Sequence, residues 1–336
     1  MDKQKTTIYD IAYRAGVSQS TVSRVLSGNT NVSEDKKVAV LAAVEALGYR
    51  PNLFAQRLAS GEASTIGILA TNTETPFFTQ VIRGIQQTLA GSPYLPLIVS
   101  VQGLGDVERA VELLRSSYVG GVCVVGQALP AQLMKDLLED MPVFAVCPDT
   151  PGIEAQCLLV DNEGGGYRAT SHLIELGHRR IAHIAGPAKH GHAIGRLSGY
   201  RRALSEADIA FDERLVTYGG FTESTGLDAA NELLDRNVPF SAMFAGNDCM
   251  AFGAQVALFR KGLFVPKHVS LVGFDDTPQA QYRTPPMTTI SQPAVEMGAA
   301  VANQVLALLA GQAEPMKLRF ETPLIIREST ALFVPA

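Results

Sequence analysis

Residues 8 to 26, IYDIAYRAGVSQSTVSRVL, constrain this chain more than any other stretch, because their spacing reads as two short helices joined by one tight turn. Thr7 stands where an N-cap belongs, and Asp10 three residues later completes a capping-box spacing, so a first helix is expected over Ile8 to Ala15. Ile8, Ile11, Ala12 and Ala15 form its apolar face. Gly16 supplies the positive φ of a sharp turn, Val17 tucks beneath it, and Ser18 caps a second helix that carries Val22, Val25 and Leu26 inward. Gln19, Ser20, Thr21 and Arg24 are left facing out. Their amide, hydroxyl and guanidinium groups are the types that read base edges in a major groove, and neither helix is long enough to be stable alone. The unit therefore reads as helix-turn-helix, with Gln19 to Leu26 as recognition helix.

A third helix is expected from Ser33, with Glu34 and Asp35 in its first turn and Val38, Leu41, Val44 and Leu47 covering the first two helices before Gly48 stops it. Pro51 bars continuation, and Asn52 caps a short segment, Leu53 to Ser60, that folds only against a partner. Gly61 to Ser64 reads as a linker.

The net charge of −5 argues against DNA binding until it is divided by position. Residues 1–60 hold eight Lys/Arg and five Asp/Glu, a balance of +3, while the rest holds twenty against twenty-eight, a balance of −8. A basic head on an acidic body suits a phosphate-contacting module joined to one that does not touch nucleic acid.

From Ile66 the pattern changes to short apolar runs alternating with helical stretches: IGILA, LIVSV, GVCVV, VFAVC, IAHIA, AMFA and VSLV. Such runs are buried parallel strands, and about seven of them over some 270 residues are more naturally two doubly wound sheets than one. The seam is expected near Val160 to Gly166, with later crossings near Gln292 and Thr322. Gly164 to Gly166 is read as a turn. Cys123, Cys147, Cys157 and Cys249 are widely spaced and lie mostly in apolar runs, so they read as buried thiols in a reducing compartment. No export signal opens the chain, and no apolar run is long enough to span a bilayer.

Together these motifs resemble the LacI/GalR family of bacterial transcription regulators over nearly the whole chain. The resemblance is carried by TIYDIAYRAGVSQSTVSRVL, YRPNLFAQRLAS, IELGHRRIAHIAG, AGNDCMAFGA and LVGFDDT. It implies an α/β protein with a three-helix headpiece over 1–50, a hinge helix and linker over 51–64, and a periplasmic-binding-protein-like core over 65–336. The core's N-subdomain would take about 65–161 and 292–322, its C-subdomain about 162–291 and 323–336. The resemblance further implies a cytoplasmic, nucleoid-associated homodimer, probing palindromic double-stranded operator DNA and controlled by a small sugar-like effector, without a cofactor or a membrane. Base reading falls on Gln19, Ser20 and Arg24 and the minor-groove wedge on Leu58; the wider DNA-facing set is Thr7, Ser18, Thr21, Ser23, Asn31, Asn52, Ala55 and Gln56. Effector contacts map to Pro76, Phe77, Phe78, Arg196, Asn247, Asp275 and Gln292. Many sugar-responsive members carry an acidic residue late in the fourth core strand, where this chain has Val146. The family's tetramer-forming heptads are absent from the end ALFVPA, which favours a dimer.

Other readings are weaker. GPAKHGH (186–192) has phosphate-loop glycine spacing but His192 where lysine is required, and GRLSG (195–199) misplaces serine for a nucleophile elbow. His190 and His192 have no third metal ligand at useful spacing and read as a solvated loop. A solute-binding protein or sugar-processing enzyme on the same core is the rival class, and a phosphorylated carrier protein the rival controlling partner.

Overall fold

The computed structural model describes residues 6–26, 31–49, 63–71, 75–101, 104–126, 129–146, 153, 156–312 and 318–335. The expected hinge helix, with Asn52, Ala55, Gln56 and Leu58, lies outside the described residues, as does Cys147. The chain divides into two compact units, 1–64 and 65–336.

In the first unit α1 (Ile8–Ala15), α2 (Gln19–Leu26) and α3 (Glu34–Ala46) surround one small core of Ile11, Ala12, Val22, Val25, Val40 and Ala43. The Thr7 amide and hydroxyl both donate to Asp10 Oδ2, at 2.8 and 2.7 Å, which holds the Asp10 carboxyl below its ordinary range. Gly16 takes the left-handed conformation, φ 66°, that turns the chain into α2. One expectation needs correcting. Val38 and Leu41 are exposed, and α3 turns Val40 and Ala43 inward, with Val44 and Leu47 beside them. This helix is apolar around much of its circumference, so spacing admits two faces and packing against α1 and α2 selects between them.

The second unit holds two six-stranded sheets among its described residues. In the first sheet, β1 (Thr65–Ala70), β2 (Leu95–Ser100), β3 (Val122–Val125), β4 (Val143–Val146), β5 (Cys157–Val160) and β11 (Leu318–Phe320) are ordered β11-β5-β4-β3-β1-β2, every pair parallel. The second combines β6 (Ile181–Ala185), β7 (Val216–Tyr218), β8 (Ala242–Ala245), β9 (Ser270–Asp275), β10 (Thr288–Ser291) and β12 (Leu324–Ile325) in the order β12-β10-β9-β8-β6-β7. Here β12 runs antiparallel to β10, a departure from an all-parallel reading. Strands β5, β7, β10, β11 and β12 were not among the apolar runs; most are short, and β10, TTIS, is made largely of hydroxyl side chains.

Helices cover both faces of each sheet. On the first, α4 (Pro76–Leu89) and α11 (Ala294–Leu309) pack one face, and α5 (Val107–Ser116) and α6 (Ala131–Asp140) the other. On the second, α7 (Asn162–Glu175) and α8 (Gly191–Glu206) lie opposite α9 (Glu223–Asp235) and α10 (Asp248–Arg260). Three helix pairs touch through glycines: a Cβ on Gly84 or Gly298, Gly166 or Gly199, Gly226 or Gly253 would run into backbone of the facing helix. The run Gly164 to Gly166 is thus no turn. It belongs to the first turns of α7, where Gly166 lets α8 approach closely and Gly165 admits the Phe274 ring.

The chain passes between the sheets after β5, after β10 and after β11. At the first and third passages Asp161 Oδ2 meets Arg168 at 3.3 Å and its Oδ1 meets Arg319 at 3.0 Å. Arg168 in turn donates from Nε to the Thr322 carbonyl, 2.8 Å, and from Nη2 to the Thr322 hydroxyl, 2.7 Å. Thr322 closes the loop by donating to the Asp161 carbonyl at 3.0 Å. The two passages are therefore cross-linked by side chains.

Candidate functional site

Between the two sheets lies a cleft with a cavity of about 130 Å³, at the carboxyl ends of the strands, where parallel sheets present their loops. Arg196 sits on the second turn of α8, which begins at Gly191. Its side chain is buried, and every nitrogen is used. Nε donates to Asn162 Oδ1 at 2.9 Å, Nη1 donates to the Gly246 carbonyl, and Nη2 lies 3.7 Å from Asp275 Oδ1. Its Cζ stands 3.7 Å from the centroid of the Phe274 ring, so the cation is both paired and stacked.

Asp275 ends β9 with φ 114°, and Asp276 follows at φ 55°. Two successive non-glycine residues in this region store strain that surrounding bonds must hold. Gln292 Nε2 donates to Asp275 Oδ1 at 2.6 Å, Arg327 pairs with Asp276 at 2.6 Å, and the buried Asp248 carboxylate accepts from the Thr277 amide at 2.7 Å and hydroxyl at 3.0 Å. Thr289 donates to the other Asp248 oxygen, 2.6 Å. Burial pushes the Asp275 carboxyl up to about 6, against the pull of Arg196 and Gln292. Asp248 is raised too, by burial and then by the Asp275 charge. The turn that carries Asp275 is accordingly fixed by three separate polar anchors.

Asn247 caps α10, its Oδ1 accepting from the Met250 amide at 2.9 Å, while its Nδ2 donates to the Phe221 carbonyl at 3.0 Å. Phe221 is itself left-handed, φ 66°, and its ring faces the cleft. Asn247 is engaged on both sides of its amide. Phe77 and Phe78 line the cleft from the first sheet in an edge-to-face pair 5.1 Å apart, and Phe77 also belongs to the core beneath. Pro76 starts α4 and is not among the lining residues. Val146 is buried in the core of the first sheet.

Sequence reasoning missed Phe221, Thr75 and Gly126 as lining residues, and it misplaced the histidine loop. His190 and His192 are half-buried and line the cleft wall. A signal was present: the loop follows β6 directly, at the carboxyl end of a parallel strand. Among the described residues no cluster of three metal-ligating side chains occurs, and no helix is long and apolar enough to cross a membrane.

In the first unit, Gln19, Ser20, Ser23 and Arg24 are exposed on one side of α2 and Thr21 is half-exposed. The Ser18 hydroxyl accepts from the Thr21 amide at 3.2 Å and lies 2.9 Å from the Ser20 hydroxyl. Thr7 is exposed but occupied as a cap, and Asn31 is exposed between α2 and α3.

Residues 7–52 match bacterial regulatory proteins of the lacI family, and residues 170–330 match a periplasmic binding protein-like domain. The HTH-type transcriptional regulator CelR of Thermobifida fusca is 35% identical, covering 97% of this chain and 99% of that protein. A solved CelR–cellobiose complex is similar with a TM-score of 0.73 and 34% identity, over 97% of this chain and 100% of its own. The lac repressor dimer bound to operator and the anti-inducer ONPF superposes with a TM-score of 0.82 at 28% identity, over 98% of this chain and 100% of its own.

Proposed function

Because the chain belongs to the lacI family of bacterial regulatory proteins, and is thus a DNA-binding transcriptional regulator and not an enzyme, we propose that it is a cytoplasmic repressor working at the nucleoid. In this reading 1–50 is the operator-reading headpiece, 51–64 the hinge and 65–336 the effector-binding core. Gln19, Ser20 and Arg24 read base edges in the major groove. Two copies meet across a two-fold axis, so the operator is palindromic.

The observation that carries the effector reading is the buried Arg196–Asp275 pair at the floor of the cleft, braced by Gln292 on the passage after β10. Charged donors and acceptors held by their own packing, with Phe77, Phe78 and Phe221 around them, suit a polyhydroxy ring with an apolar face. Cellobiose in the similar CelR complex supports the same class for this chain. The dimer reading is supported by apolar side chains left exposed on both halves of the core, Leu95, Ile98 and Tyr118 by the first sheet and Val256, Phe259 and Tyr282 by the second.

Selection of binding sequences from random duplex DNA tests the first part: a palindromic consensus is expected, and affinity without sequence preference would refute it. Thermal-shift screening of sugars tests the second, since a ligand at 100 times its dissociation constant adds ~2.7 kcal/mol to the state it binds.

A further inference from the structure

We propose that Asp248, outside the cleft lining, is a positioning residue for Asp275, that the two buried carboxyls hold one proton between them, and that effector binding releases it. The inference deepens the effector reading above and rests on it for the ligand's part alone.

Geometry is the first ground. Asp248 begins α10, is fully buried and is not among the residues lining the cleft, whereas Asp275 is. It holds the Asp275 turn from both sides. Its Oδ2 accepts from the amide and hydroxyl of Thr277, two residues beyond Asp275, and Gly273, two residues before, leaves a space against its Oδ1 that a Cβ would fill. Thr289 on β10 donates to the same Oδ1. Asp275 keeps φ 114°, a conformation that needs outside support, and these contacts supply it.

Charge is the second ground. Asp248 is 0% and Asp275 7% exposed. The bonds to Asp248 come from neutral groups, and among the described lining residues Arg196 is the only Lys or Arg, 3.7 Å from Asp275. With both carboxyls ionised, two buried negative charges face one positive, and one bound proton balances them. Burial accordingly pushes both carboxyls up, the Asp275 charge raises Asp248 further, and the two titrate as a coupled pair. Surrounding groups do not supply the missing charge. Asp276 is paired with Arg327 at 2.6 Å, and Gln292 is a neutral donor. The Cys249 thiol is pushed up by burial and by Glu223 on α9, and burial lowers the pKa of His183. His190 and His192 line the same cavity as Asp275. A sugar hydroxyl that donates to Asp275 favours its ionised form, so a bound sugar displaces the proton. Affinity then falls as pH drops through the range in which the free pair takes that proton up.

The test has two arms, both on the full-length chain. In the first, without ligand, urea denaturation compares the unaltered chain with Asp248→Asn and with Asp275→Asn between pH 7.5 and 5. Relative to either variant, the unfolding equilibrium constant of the unaltered chain should fall by up to about tenfold per pH unit on acidification, as uptake of one proton by the folded state requires. The three histidines named above are common to all three proteins and cancel. In the second arm, cellobiose, lactose, glucose and galactose are titrated calorimetrically at pH 7.5 and 5.5. A sugar that binds should do so about tenfold more weakly at pH 5.5, and Asp248→Asn should shrink that ratio to about twofold or less. A purely structural role for Asp248 would weaken binding by the same factor at both pH values. Parallel stability curves, a pH-independent affinity, or an undiminished pH ratio in Asp248→Asn would overturn the proposal. If the stability slope appears and no sugar binds, the link to the effector falls with the sugar-effector reading, and the shared proton stands.

Discussion

Arg196 Nε donates to Asn162 Oδ1 across 2.9 Å, and this bond joins the floor of the cleft to the first passage between the two sheets. Gln292, bonded to Asp275, lies on the second passage, and Asp161 beside Asn162 is tied through Arg168 to Thr322 on the third. A ligand that competes for Arg196 or Asp275 therefore acts on groups attached to the chain where the subdomains meet. Its effect on their relative position is bounded by its difference in affinity between the two arrangements.

That geometry separates two substitutions that look equivalent in sequence. Arg196→Ala leaves Asp275 buried without its cation, and breaking such a pair costs ~3 to 5 kcal/mol. Asp275→Asn keeps an oxygen for Gln292 and leaves Arg196 bonded to Asn162 and Gly246. Urea denaturation should show the larger loss for Arg196→Ala. Asp275→Asn should bind operator near normally yet need roughly tenfold to a hundredfold more effector, as loss of a charged hydrogen bond worth ~1.5 to 3 kcal/mol dictates. Equal effector response in Asp275→Asn and the unaltered chain would place the site elsewhere.

Arg168→Ala removes both bonds to Thr322 and the contact to Asp161, so it should loosen the first and third passages together. Spin labels at Lys135→Cys and Glu206→Cys, exposed positions on α6 and α8, report the separation of the subdomains. A broader distance distribution in Arg168→Ala is expected; an unchanged one means that packing alone sets the arrangement.

How legible these features were depends on the range over which their causes act. The first two headpiece helices could be read to the residue, because Thr7–Asp10, Gly16 and Ser18 are local signals acting within four residues. The long buried runs β1, β6 and β9 were equally visible. What escaped was set by distant contacts: Gly164 to Gly166 look like a turn until α8 and Phe274 are packed against them, and β10 is a strand only because β9 and β12 flank it. Arg196, Asp275 and Gln292 were legible through motif resemblance, whereas Phe221 and the two histidines required the fold to bring three loops to one wall.

Base reading is tested at Arg24. Its side chain is exposed on the face of α2 with Gln19 and Ser20, and its planar fork suits guanine. Arg24→Ala should cost ~1 to 3 kcal/mol on the selected operator and barely change affinity for unrelated DNA. Equal losses on both would reduce Arg24 to a phosphate contact, and the salt dependence of binding would then fall by about one unit of slope.

The core's response to acid is tested at His183. This residue lies in β6, stacked between Phe244 at 4.6 Å and Tyr200 at 5.0 Å, with Nδ1 2.8 Å from the Phe244 carbonyl. Burial lowers its pKa to about 4, opposed by the carbonyl bond and helped by the charges of Arg196 and Arg201. An unfolded histidine titrates near 6.5, so between pH 6.5 and 4 the unfolded chain binds the extra proton. The stability held by neutral His183 is thus complete above pH 6.5 and falls by ~1.4 kcal/mol per pH unit on acidification. Asp275 and Asp248, whose values are raised, act in the opposite sense: they take up protons in the folded state and become relatively stabilising as pH falls. The difference between the unaltered chain and His183→Phe isolates the histidine, because both carboxylates are common to the two. His183→Phe keeps the stacked ring and loses one hydrogen bond, so at pH 7 it should be less stable by ~1 kcal/mol. At pH 4.5 it should have gained ~2 to 3 kcal/mol relative to the unaltered chain. Urea denaturation of both proteins at the two pH values measures this directly, and parallel stability curves across that range would show that His183 is not the group that titrates.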